Sequence, residues 1–289
     1  MKALITGLAA LLILTGGCAG SAPAPGPADA LAASIAARSE EDRSRDGARH
    51  PEQTLRFFQV EPGMRVAEGL PGGGWYTRLL ADYLGADGAL YGVNYADRMW
   101  SMFSWATPEV VERRIAATAR FADAVGRYTD NGIEARGFTF ETLPEDLEGT
   151  IDRVLLIRAL HNLNRFEEQA GTRSRALAAV HDMLAGDGLV GVVQHRAPED
   201  AADAGAQGQR GYLKQSAVIA MFEEAGFELV ASSEINANPK DQPGDDAIVW
   251  RLPPSLRGTE PGTPEREAAL AIGESDRMTL LFRKAAASR

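Results

Sequence analysis

The stretch Arg65–Leu84, RVAEGLPGGGWYTRLLADYL, decides how the rest of the chain is read. Val66 and Ala67 form a short apolar run that ends on an acidic residue, Glu68. A Pro-Gly-Gly-Gly turn follows at positions 71–74, after which Leu79, Leu80, Tyr83 and Leu84 recur with a helical period. Strand, glycine turn and helix, in that order, build a nucleotide-sized pocket at the carboxyl end of a strand. Gly72, Gly73 and Gly74 open backbone dihedrals closed to other residues and remove the Cβ atoms that would hold a ligand away. The first N–H groups of the following helix lack partners within it and are available to the ligand's polar atoms. A glycine turn alone is a weak signal; Glu68 and the downstream alternation of strands and helices strengthen it.

Working outward, Pro51–Phe58 reads as a helix with proline in its first turn, and Glu61-Pro62-Gly63 as the turn into the first strand. Further strands are expected at 89–93, 137–140 and 151–157, the last a near-continuous apolar run suited to burial on both faces. Residues 108–128 form a long amphipathic helical stretch. A helix over 173–184 is expected to stop at Gly186, before a strand at 188–194. A helix over 217–225 stops at Gly226, and 227–232 with 278–283 read as a closing pair of strands. This alternation predicts a doubly wound α/β sheet.

With 289 residues, 45% of them hydrophobic, the chain can bury a full core as one large domain. A net charge of −10 without any basic block argues against nucleic acid as a partner. Cys18 is the one cysteine, so no internal disulfide or thiolate metal cage is possible. The four histidines, His50, His161, His181 and His195, lack zinc-site spacing, and no metal is expected.

Residues 1–17 carry a single charge, Lys2, ahead of a run of Ala, Leu and Ile, the layout of a bacterial export signal. Leu14-Thr15-Gly16-Gly17-Cys18 resembles the lipobox of bacterial lipoproteins, with Thr15 where that motif usually has leucine. The resemblance implies a lipidated Cys18 that holds the protein on a membrane surface, on the periplasmic side of the cell envelope. A cleaved signal with an incidental cysteine and an uncleaved anchor helix are the alternatives. The expected organisation is a signal peptide at 1–17, lipidated Cys18 and a tether through 45, and a folded domain over 46–286.

The motif E-x-x-P-G-G-G-W-Y-T, the strand starting with Asp152, the helix ending in Gly186-Asp187-Gly188 and the terminal strand pair resemble class I S-adenosylmethionine-dependent methyltransferases. Arg158–Leu163, Glu224–Phe227, Ser233–Asp241 and Gly273–Met278 resemble, more closely, a bacterial group of exported methyltransferases. The resemblance implies a Rossmann-like sheet, mostly parallel with an antiparallel strand near the C-terminus. It also implies S-adenosylmethionine as cofactor and a small-molecule or envelope methyl acceptor. A non-catalytic small-molecule-binding lipoprotein that retains the fold is the alternative.

By the same resemblance Glu68 is the acidic residue ending strand one, and Gly72 to Gly74 pass under the methionine and ribose parts of the cofactor. Leu70 departs from the pattern where the family usually has its first glycine. Asn94 departs where most members place a carboxylate for the ribose hydroxyls, and Asp97 lies close enough to substitute. Glu141 is a candidate for the adenine amino group, with a surface role as the alternative.

Methyl transfer to a hydroxyl or amine is helped by a general base. His161 follows the 151–157 strand and His195 the 188–194 strand, so both fall on the face of the glycine turn and are the catalytic candidates. Each could equally cap a helix or satisfy a buried carbonyl. Tyr76, Arg158 and Asn162 are candidate pocket-lining residues. The polar 236–246 segment reads as a substrate-facing lid or a rigid connector.

Overall fold

The computed structural model describes residues 26–286; the signal peptide and Cys18 lie outside the described residues. Eight strands form the sheet: β1 (Arg65–Gly69), β2 (Ala89–Asn94), β3 (Glu134–Thr139), β4 (Ile151–Ile157), β5 (Leu184–Ala197), β6 (Leu213–Lys214), β7 (Phe227–Ser233) and β8 (Arg277–Lys284). Their order is β3-β2-β1-β4-β5-β8-β7, with the two-residue β6 paired to β5. The pairs β1–β2, β2–β3, β1–β4 and β4–β5 are parallel, whereas β8 is antiparallel to both β5 and β7. This is the expected Rossmann-like sheet with its antiparallel strand near the C-terminus.

The topology places the site. From β1 the chain winds outward to β2 and β3, then returns to β4 on the other side, so the order reverses at β1. Ligands of open α/β sheets bind beyond the carboxyl end of the strand at such a switch point, and that end carries Glu68 and the glycine turn. Val66, Ala67, Val154, Leu155, Leu156, Val190 and Val192 are wholly buried, as strands covered on both faces require.

Several boundaries differ from the sequence expectation. The 108–128 stretch is two helices, Pro108–Ala119 and Phe121–Val125, broken at Arg120. Gly186 is not the helix stop: the helix Thr172–Met183 ends at Leu184, which turns extended and enters β5 directly.

The tether expected through residue 45 is corrected as well. Helices at Pro27–Ala37, Glu40–Arg43 and Asp46–Arg49 precede the sheet. Leu31 is buried beside Leu55, Tyr83 and Leu84. Asp42 receives the Arg78 guanidinium at 2.7 Å (Nε), and its carbonyl accepts the Trp75 indole N–H at 3.0 Å. An apolar stripe and the part-buried Asp42–Arg78 ion pair thus help to dock a charged segment that looks solvated in sequence. Among the described residues no helix is long and apolar enough to cross a membrane.

Candidate functional site

The glycine turn shapes the site through backbone conformation. Leu70, Gly72 and Gly74 have φ of 57°, 58° and 76°, all in the left-handed region. Gly72 and Gly74 reach it without strain; Leu70 adopts it against its own Cβ, held by its N–H donating to the Val93 carbonyl at 2.8 Å. The position where the resemblance calls for glycine therefore keeps a glycine-like conformation with a leucine in it.

Beside a cavity of about 670 Å³ that meets the turn only at Gly73 and lies among Arg38, Asp42, Arg78 and Tyr128, two more flank the turn. The larger of these two, of about 250 Å³, opens toward the N-terminal helices and is lined by Glu68, Gly72, Gly73, Tyr76, Arg49 and Arg158 among others. The smaller, of about 110 Å³, lies between Gly72, Gly74, Thr77, Asn94, Phe121 and Tyr128. A Cβ built on Gly73 meets nothing within 4 Å, whereas one on Gly74 would lie 2.8 Å from the Tyr128 hydroxyl. The turn is bare on its first side and covered on its second.

Glu68 is 4% exposed and accepts a hydrogen bond from the Thr77 hydroxyl at 2.6 Å. Burial pushes its carboxyl up to about 7, against the pull of Thr77 and Arg78. Such an acid gains its charge readily when a cation arrives in the cavity.

On the β4 side, Arg158 follows the strand with φ of 60° and lines the larger cavity, as does Tyr76. Among the described residues the Arg158 side chain makes no hydrogen bond or ion pair, and burial and the charges of Arg277, Glu274, Arg45 and Tyr76 act on it. Burial lowers its pKa to about 10, with the neighbouring Arg277 charge acting the same way. Arg49 is 2% exposed and lowered to about 9, chiefly by burial and then by Arg158. Its guanidinium lies 4.6 Å from the Trp75 ring centroid. Glu274 accepts from Arg45 at 2.6 Å, from Arg49 at 3.3 Å and from Arg277 at 3.2 Å.

The structure brings His161 and His195 together, with ring centroids 5.5 Å apart. Gln194 Nε2 donates to the Gly211 carbonyl at 2.9 Å, which turns Oε1 toward the backbone N–H and Nδ1 of His161, both at 3.3 Å. That arrangement puts the His161 proton on Nδ1 and leaves Nε2 as an acceptor. Burial lowers His161 to about 4, so the ring is neutral at neutral pH. His195 pairs through Nδ1 with the Ser275 hydroxyl at 2.6 Å and lies opposite Arg277 in the sheet register. Burial, followed by the charges of His161 and Arg158, depresses it well below the ordinary histidine value.

Other expected residues fall elsewhere. Asn94 lines the smaller cavity, where its amide donates to the Thr118 hydroxyl at 3.0 Å instead of facing open space. Glu141 is turned to the surface and ion-paired with Arg98, lining neither cavity. Asp97 is exposed at the start of a short helix and lines neither cavity either. Asn236 and Asp241 are each 2% exposed. Asn236 donates to Thr54 and Thr279, and Asp241 accepts from Tyr212 and Arg251. Their segment is therefore tied to the body of the fold at Asn236 and Asp241, as a connector would be.

Sequence reading missed Arg45, Arg49, Glu274 and Arg277 as site residues. The i,i+4 spacing of Arg45 and Arg49 on one helical face was the available signal, but it lay in a segment read across the tether boundary.

No family model matches the chain, and no curated protein matches it. Solved structures do. The [4+2]-cyclase SpnF is 15% identical, covering 82% of this chain and 80% of that one with a TM-score of 0.51. The Haloferax volcanii complex of the Trm112 methyltransferase activator with a candidate methyltransferase is similar at 16% identity, over 89% and 98% of the two chains and a TM-score of 0.50. A SAM-dependent methyltransferase from Aquifex aeolicus matches at 16% identity over 71% of this chain and 93% of that one, with a TM-score of 0.45. At these identities the likeness is one of fold.

Proposed function

We propose that the chain is an S-adenosylmethionine-dependent methyltransferase acting on a small molecule. The observation that carries this reading is Glu68: a buried carboxyl poised near neutrality, at the switch point of a methyltransferase-like sheet, against a glycine turn bare on the cavity side. The residues fit the amino-acid and sulfonium half of the cofactor. Glu68 offers a carboxylate to positive charge, and the Gly72–Gly73 backbone admits close approach. The nucleoside half fits only if Asn94 parts from Thr118 and Tyr128 moves off Gly74, because about 110 Å³ lies below the roughly 300–1,000 Å³ of small-molecule pockets.

When bound, S-adenosylmethionine supplies an electrophilic methyl group already attached to its leaving group. The chain aligns the acceptor and excludes water. His161, neutral and with Nε2 free of the Gln194 contact, is the residue to take a proton from a hydroxyl or amine acceptor. Ser275 and the neighbouring β8 strand orient His195 beside it.

Calorimetry of the protein with S-adenosylmethionine and S-adenosylhomocysteine tests the reading. Saturable binding that Gly72→Val abolishes supports it; no binding at millimolar ligand, with the variant behaving alike, overturns it. His161→Ala and His195→Ala should then slow turnover while leaving cofactor affinity nearly intact. The closed nucleoside side favours a second reading, a binding protein without catalysis, which predicts S-adenosylhomocysteine binding and no methyl transfer to any acceptor.

We also propose that the protein is an envelope lipoprotein anchored through Cys18, on the lipobox-like Leu14–Cys18 sequence. Labelled palmitate should be incorporated by the wild type and not by Cys18→Ala; equal incorporation rejects the anchor.

A further inference from the structure

The arginines at the β4 side of the larger cavity exceed what binding of the cofactor requires. Arg45, Arg49 and Arg158 line this cavity together, and the single carboxylate of Glu274 is bonded by Arg45, Arg49 and Arg277. The last three share that carboxylate, and Arg158 has no acidic partner among the described residues. Arg49 and Arg277 are 2% and 3% exposed, yet Arg49 Nη1 and Arg277 Nε have no hydrogen-bond acceptor. Buried donors without acceptors are rare and unfavourable. The remaining acids around the cavity do not answer this charge. Asp42 is taken by Arg78, Glu41 is exposed at the rim, and Glu68 lies at the glycine turn with its pKa raised.

We propose that this basin binds an oxyanion carried by the methyl acceptor, making the substrate a small acid with a carboxylate or phosphate group. The proposal rests on the cofactor reading above. S-adenosylmethionine joins one carboxylate to an ammonium and a sulfonium, so it brings net positive charge and leaves the arginine excess unanswered. An anionic acceptor supplies the missing acceptor of Arg49 Nη1 and a counter-charge for Arg158, unpaired among the described residues, and guanidinium forks suit planar or tetrahedral oxyanions. The basin adjoins the histidine pair through β8, where His195 lies opposite Arg277, and Arg277 shares Glu274 with Arg45 and Arg49.

Inorganic phosphate and acetate, titrated separately into the full protein by calorimetry with and without saturating S-adenosylhomocysteine, test the proposal. At least one anion should bind saturably in the presence of S-adenosylhomocysteine. Arg158→Asn, which tolerates the left-handed backbone and breaks no side-chain hydrogen bond, should weaken it about tenfold or more, with S-adenosylhomocysteine affinity held within about twofold. Arg45→Gln, at a half-exposed position, carries the same expectation should Arg158→Asn fail to fold. The tighter of the two anions names the acid group. Absence of saturable binding by either anion overturns the proposal. So does displacement of the anion by S-adenosylhomocysteine, because the basin then serves the cofactor's own carboxylate. Anion binding that depends on Arg158 in a protein that never binds S-adenosylhomocysteine keeps the anion site and rejects the cofactor reading instead.

Discussion

The two sides of the glycine turn are built from the same few residues and have opposite character. Toward β4 and the N-terminal helices the turn faces about 250 Å³ bordered by Glu68, Arg49 and Arg158. Toward β2 it faces about 110 Å³, with Asn94 bonded to Thr118 and Tyr128 against Gly74. The motif supplies a loop that can be approached from both sides, and the neighbouring helices decide which side stays open. A glycine signature therefore locates a pocket without fixing how much of a ligand it admits.

The largest expected effects come from two buried titratable groups, Glu68 on the open side and His161 beyond β4. Glu68 is raised from 4.5 to about 7, so the folded protein holds its proton more tightly than the unfolded chain. Its contribution is present at low pH and is lost as pH rises from about 4.5 to about 7, by at most about 3 kcal/mol. His161, lowered from 6.5 to about 4, works in the opposite sense: its contribution is complete above about 6.5 and is lost as pH falls toward about 4. The two slopes offset each other over nearly the same window. Urea denaturation across that window should show Glu68→Gln gaining stability with rising pH relative to wild type, and His161→Asn losing it. Parallel slopes for all three proteins would contradict this account of both groups.

A smaller effect is expected at the turn itself. Gly74→Ala places a Cβ in a left-handed residue and against Tyr128, and should destabilise the fold by about 1–3 kcal/mol in thermal or urea unfolding. Gly73→Ala, with open space around it and no left-handed φ, should be within about 0.5 kcal/mol of wild type. Equal losses at both positions would mean that the closed side is not closed by Tyr128.

Smaller still is the effect of loosening that side. Tyr128→Ala should tighten S-adenosylhomocysteine a few-fold, since the nucleoside-admitting conformation no longer has to displace the ring, a gain of about 1 kcal/mol or less. Weaker binding in that variant would make Tyr128 a ligand contact instead of an obstruction.

Much of the fold was legible from local pattern. The 151–157 run, the Gly226 stop and the closing pair at 227–232 and 278–283 reappear as β4, the end of the helix Gln215–Glu224, and β7 with β8. Those signals are short-range: apolar period, proline and glycine positions, turn chemistry. That Glu68, Gly72, Gly73, Tyr76 and Arg158 share one cavity, and that His161 and His195 share one edge of the sheet, was readable from the strand–turn–helix order and from the carboxyl ends of the parallel strands.

What the sequence alone determined, then, was a strand–glycine–helix pocket in a doubly wound sheet, with an acid at the end of its strand and two histidines on the same side of the sheet. Tertiary structure decided the rest. Arg45 meets Glu274 across 229 positions of chain, docked by helices that read as tether. Thr118 comes 24 positions to occupy Asn94. Such contacts leave no periodic trace in the residues that make them, since a guanidinium is equally at home in water until the packing of other elements takes the water away.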